Sequence, residues 1–174
     1  ENDFSVFKAD LDTLVSLKKE EAAMLGYADH PYDALLDDHD KGSTVAQLDP
    51  LFSALRIPLK NLLDKIKSAT PIDNSILKQF FPSAKQWDLG LQVIKHMGYD
   101  MEAGRQDLSE HPFTVNMGNC DVRVTTRIDE MDLSNMLWSC IHEGGHALYE
   151  QGLPGSEYGL PLGEAASFSI HESQ

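Results

Sequence analysis

Apolar positions along this chain recur mainly with a helical period. From Phe4 they return at Phe7, Leu11, Leu14 and Leu17, through a lysine- and glutamate-rich stretch that ends near Gly26. That spacing predicts one amphipathic helix stopped by a glycine. A second stripe, Leu48, Phe52, Leu55, Leu59, Leu62 and Ile66, alternates gaps of four and three. Pro50 is tolerable near a helix start, whereas Pro58 is expected to bend or break the helix. Packed as a hairpin, these two long helices would cover both stripes. A third pattern, Trp87, Leu89, Leu91, Ile94 and Met97, stops before Gly98, and Met101 to Leu108 is expected to form a shorter helix.

The period changes after His111. The stretch "HPFTVNMGNCDVRVTTRI" alternates β-branched and polar residues at Val122, Val124 and Thr126, beside a Gly118-Asn119 turn signal, so a small hairpin is expected. Helical spacing returns over Leu133 to Gln151 and again from about Leu162 to the end. Between them "GLPGSEYGLP" reads as a loop. The fold class is therefore mostly α with a small β-hairpin: a helical region over 1–110, a hairpin over 111–128 and two helices over 129–174. No methionine opens the chain, and the last helical pattern meets no glycine or proline before residue 174. A fragment of a larger domain is the expectation.

Composition narrows the function. With 41% hydrophobic and 24% charged residues, the 174-residue chain is of ordinary globular type. No apolar run approaches the roughly 18 residues of a membrane span, and no signal peptide opens the chain. Cys120 and Cys140 are too few for a disulfide framework and fit no thiol zinc motif, so buried, reduced thiols in a cytoplasmic protein are expected. The net charge of −14 has the wrong sign for a nucleic-acid partner. It is also uneven: after Arg127 there is no lysine or arginine, yet eight acids follow, from Asp129 to Glu172. Such a segment faces inward or awaits a cation.

The stretch "SCIHEGGHALYEQG" gives that cation a place. At 100° per residue, Leu133, Met136, Leu137, Cys140, Ile141, Gly144 and Leu148 gather on one side of the helix as a packing stripe. His142 and His146 lie on the other side with Asn135 and Ser139. Two imidazoles four residues apart on a helix can aim their nitrogens at one zinc ion, and Glu143, next in sequence, can reach a water beside it. Chance alone would produce this HExxH pattern ~0.02 times in such a composition. Gly144 and Gly145 each cost a helix interior roughly 1 kcal/mol relative to alanine, which points to close approach by another backbone or a substrate. Tyr149 and Gly152 stand where a metzincin requires glycine and histidine. Glu150, one turn on, reads as an acid supporting a ligand or solvated. By spacing alone, Glu164 and Glu172 are equally suited to be the third ligand.

Five ordered motifs carry a resemblance: "HPYDALLDD" from His30, "HPF" from His111, "DVRVT" from Asp121, "HEGGHALYEQG" from His142 and "HESQ" from His171. The chain resembles the carboxypeptidase Taq family of zinc metallocarboxypeptidases, also called the thermostable carboxypeptidase 1 type. The resemblance implies a helical HExxH metallopeptidase fold. It implies zinc ligands at His142, His146 and Glu172, a general base at Glu143, and a helix-start or supporting role for Glu164. It also implies zinc as cofactor with cobalt as the alternative metal, a peptide substrate shortened from its carboxy terminus, and a homodimer at full length; charge and hydropathy already argue against a nucleic-acid or membrane partner.

The family pattern continues past Gln174, with an Ile-Arg motif and a Gln-Asp-x-His-Trp motif that help hold the substrate's terminal carboxylate. This chain contains neither, so the resemblance covers a middle portion of the family's length. His111, Asp121 and Arg123 are candidates for substrate binding or active-site support. Arg123 could bind a substrate carboxylate, but pairing with acids beneath the zinc helix is preferred, because it is one of the last two cations before the acidic segment. The rival readings are a helical interaction module without catalysis, and a structural zinc closed by four protein ligands.

Overall fold

The computed structural model describes residues 3–173, and the chain divides between Thr70 and Pro71 into two compact units. No helix among the described residues is long and apolar enough to cross a membrane.

The first unit holds three helices. Helix α1 (Phe4–Leu25) starts where the Asp3 carboxylate accepts the Ser5 amide at 2.9 Å and stops at Gly26, whose φ of 82° suits glycine. Helix α2 (Pro31–His39) opens with a proline at its first position, while the His30 ring accepts the Tyr32 amide. Helix α3 (Val45–Ser68) is fixed at its start by a reciprocal capping box between Thr44 and Gln47.

Of the bend or break expected at Pro58, the break is absent: α3 runs through both prolines as one 24-residue helix. A proline removes one rung of the ladder and crowds the preceding turn, at about 3 kcal/mol; a long, capped helix rich in leucine absorbs that. Nor do α1 and α3 form the expected hairpin. The segment between them folds into α2, which takes the side of α1, and α3 buries none of its residues. Among the described residues of this unit Ala22 is the buried one, and Phe52, Leu59 and Leu62 of the α3 stripe stay exposed.

The second unit is built around one helix. Helix α4 (Ser83–Met97) ends at Gly98 in the left-handed conformation, and α5 (Leu133–Gln151) packs against it and against a three-stranded sheet. In that sheet β1 (Gln106–Leu108) runs parallel to β3 (Asp121–Thr126), and β2 (Thr114–Gly118) pairs antiparallel on the other edge of β3, so the expected hairpin is present. Ile94, Tyr99, Val122, Val124, Met136, Cys140 and Ala147 form the core. The helices approach closely at two glycines. A Cβ on Gly90 would lie 2.9 Å from the Cys140 sulfur, and one on Gly144 would lie 3.1 Å from the Met97 methyl. Gly144 of HEGGH thus makes room for α4 side chains rather than for another backbone.

Two further segments differ from the expectation. Residues 101–108 form a single 3-10 turn, Met101–Ala103, followed by β1. Gly104 separates them, pressed so close to β3 that a Cβ there would fall 1.8 Å from the Val122 carbonyl oxygen. The phenol of Tyr99 donates to the same carbonyl, and burial pushes its pKa up to about 12. The last helix, α6 (Phe168–Glu172), begins six residues later than expected. Gly163 is packed against the Glu157 carbonyl, 2.2 Å from where a Cβ would sit, so the chain turns there; the helix starts only where the Ser167 hydroxyl accepts the Ile170 amide.

Candidate metal centre

Helix α5 carries the centre, and its start is firmly set. The Asp132 carboxylate accepts the Ser134 amide at 3.0 Å, and the Lys78 ammonium together with Ser134 holds that carboxyl below its usual range. The buried arc of α5 differs from the expected stripe. Met136, Cys140 and Gly144 are buried as anticipated, but Glu143, His146 and Ala147 are buried with them, while Ile141 is exposed. On one flank of this arc Thr114 of β2, opposite Val124 in register, faces α5 and meets the Glu143 carboxylate, and on the other the His171 ring packs against His146.

The two histidines consequently differ in environment. The His142 side chain is 49% exposed and that of His146 only 9%. Their Nε2 atoms lie 3.2 Å apart, with the rings edge to face. A carboxylate oxygen of Glu172, on α6, stands 3.8 Å from His146 Nε2 and 4.0 Å from His142 Nε2. Ligands held about 2.0–2.2 Å from a tetrahedral zinc are roughly 3.3–3.5 Å apart. The nitrogen pair already has that separation, and the carboxylate is roughly half an ångström wide of it, within a side-chain torsion of closure. Among the described residues, Glu164 stands outside this group.

Around the three lies a hydrogen-bonded frame. Thr114 Oγ1 is 2.8 Å from a carboxylate oxygen of Glu143 and 2.9 Å from the carbonyl of the same residue, fixing the one buried acid of the helix. His146 Nδ1 meets His171 Nδ1 at 2.6 Å, His171 Nε2 meets Glu150 at 2.7 Å, and the second oxygen of Glu150 accepts from Asn116 on β2 at 2.7 Å. The Tyr149 hydroxyl accepts the Ala166 amide and its ring lies against His171, tying down the approach to α6. Glu150 is thus enclosed rather than solvated, and it meets His171 rather than a candidate ligand. His171 stands directly before Glu172 in the sequence and is not distinguished by helical spacing.

The remaining candidates lie elsewhere. Arg123 pairs through two nitrogens with Asp121, at 2.9 and 2.7 Å, and holds the Asp121 carboxyl below its usual range. Side chains two apart share one face of a strand. That face is the one opposite Val122 and Val124, so the pair points away from α5 and not at the acids beneath it. His111 is exposed ahead of β2, where the Ser109 hydroxyl donates to its carbonyl. Cys120, expected to be buried, is exposed in the hairpin turn at φ 67°, whereas Cys140 is buried and its thiol pKa is raised by that burial.

Helical fold, HExxH helix and converging carboxylate together define the chain as part of a metallopeptidase. Over residues 1–174 it matches the family described as Carboxypeptidase Taq (M32) metallopeptidase, and it belongs to that family. It is similar to carboxypeptidase 1 of Bacillus subtilis, 41% identical over 174 residues, covering 99% of this chain and 35% of that protein. It is also similar to thermostable carboxypeptidase 1 of Thermus thermophilus, 42% identical over 183 residues, covering 99% of this chain and 36% of that one. The crystal structure of the M32 carboxypeptidase from Deinococcus radiodurans R1 aligns with a TM-score of 0.91 at 38% identity, over 99% of this chain and 35% of that chain. The chain therefore spans about a third of the length of the relatives it matches.

Proposed function

We propose that this chain supplies the metal-binding part of a metallocarboxypeptidase that removes carboxy-terminal residues from peptides. The observation that carries the reading is the convergence of His142, His146 and Glu172, two nitrogens and one oxygen at separations suited to zinc, with cobalt the alternative. When bound, the metal supplies a Lewis acid that acidifies water and polarises the scissile carbonyl. Glu143 takes the proton of the attacking water and returns it to the leaving amine. The Thr114 hydroxyl holds the Glu143 carboxylate in place for both transfers. Similarity to carboxypeptidase 1 and thermostable carboxypeptidase 1 supports removal of terminal rather than internal residues. A peptide substrate, a cytoplasmic setting and assembly as a homodimer belong to the same proposal.

A structural zinc would be enclosed by four protein ligands. Among the described residues three candidate ligands converge, and His142 is half-exposed, which favours a site that admits substrate. The test is Glu143→Gln in the full-length protein, which is expected to keep its metal and lose at least 100-fold in hydrolysis. Hydrolysis at the original rate would overturn the assignment.

A further inference from the structure

We infer that His171 and Glu150 are positioning residues, which fix the tautomer of His146 and so keep its Nε2 lone pair available to a metal. The inference rests on the metal-site reading above and adds two residues to it. A carboxylate only accepts hydrogen bonds, so the 2.7 Å contact between Glu150 and His171 Nε2 requires the proton on that nitrogen. A neutral His171 then has an unprotonated Nδ1. Its 2.6 Å partner, His146 Nδ1, must be the donor. With its proton on Nδ1, His146 turns an unprotonated Nε2 toward His142 and Glu172. The reverse assignment would set a carboxylate oxygen against a ring lone pair, both acceptors, at 2.7 Å.

Burial and anchoring make the arrangement directional. The side chains of His171 and Glu150 are 17% and 15% exposed, so water competes little with their mutual bond. Glu150 is itself oriented from β2 by Asn116. A ligating histidine ordinarily gives its second N–H directly to a carboxylate or carbonyl; here a second imidazole is interposed between histidine and carboxylate. That ring is also the neighbour of Glu172 on a five-residue helix too short to be stable alone. Docking it on α5 places the carboxylate ligand as well as the tautomer.

The test uses the whole chain. Histidine ¹⁵N spectra of the metal-free protein, at a pH where the imidazoles are neutral, should show His146 protonated at Nδ1. Glu150→Gln should populate the other tautomer. Zinc affinity, read by competition with a chelator, should weaken 10- to 100-fold in Glu150→Gln and in His171→Phe, which keeps a ring of similar size. Exposed Trp138→Ala should change neither reading. A wild-type His146 protonated at Nε2 would overturn the inference, as would unchanged tautomer and affinity in Glu150→Gln. His142→Ala separates the two levels. If it loses zinc while the positioning variants do not, only this inference fails; if it retains zinc at full affinity, the metal-site reading itself fails.

Discussion

Replacing Thr114 by valine removes one hydroxyl while preserving shape and strand preference, and so isolates the bond that holds Glu143. The Thr114 proton can go to the carboxylate at 2.8 Å or to the carbonyl at 2.9 Å. The charged acceptor should win, and a hydrogen bond to a charged group contributes about 1.5–3 kcal/mol. Glu143 is only 7% exposed, so water replaces the lost donor poorly and the expected loss is about 2 kcal/mol. With a urea dependence of about 2 kcal/mol per molar, the unfolding midpoint should fall by roughly 1 M. Both tryptophans, Trp87 and Trp138, belong to the second unit, so their fluorescence reports on it alone. Combined with Glu143→Ala in a double-mutant cycle, the coupling should be about 1 kcal/mol, reduced because the hydroxyl can turn to the backbone carbonyl. An unchanged midpoint in Thr114→Val, or additivity of the two substitutions, would refute the claim that β2 positions Glu143.

Other consequences of the packing are open to measurement. Gly104→Ala should abolish the cooperative near-UV transition of the second unit, because its Cβ would overlap the Val122 carbonyl; a native-like spectrum would contradict that contact. Gly144→Ala should stay within about 1 kcal/mol of the parent, since the flexible end of Met97 can yield and the helix gains about as much in propensity. Tyr99 titrates near 10 when unfolded and at about 12 when folded. Its contribution is complete below pH 10, and about 2–3 kcal/mol of it is lost as the pH rises through 12. Alkaline unfolding curves should show that loss and Tyr99→Phe should lack it.

Local signals made much of this legible. Gly26 and Gly98 end α1 and α4 where the apolar spacing stops, and the change to period two found the hairpin, because each signal acts over a few residues. Strand β1 carried no such signal. Three residues become a strand only by pairing with β3, 18 positions away in register. The arc of α5 differs from its own spacing at Glu143 and His146 because burial there follows contacts from Thr114 on β2 and His171 on α6, not the helix's own composition. At the site, His142, Glu143 and His146 were readable from spacing. Glu172 was not separable from Glu164 that way, since the loop and 3-10 turns from Gly152 to Ser167 decide which acid returns to the histidines. The partnership of His171 with Glu150 depends on the same return.

The coordination sphere of zinc bound to this chain tests the central claim most directly. X-ray absorption should show two histidine nitrogens at about 2.0–2.1 Å and one carboxylate oxygen, with an exchangeable fourth position. It should also show a nitrogen lost in His142→Ala and the carboxylate oxygen lost in Glu172→Ala. A sphere closed by four protein ligands, or one that neither substitution alters, would contradict the account.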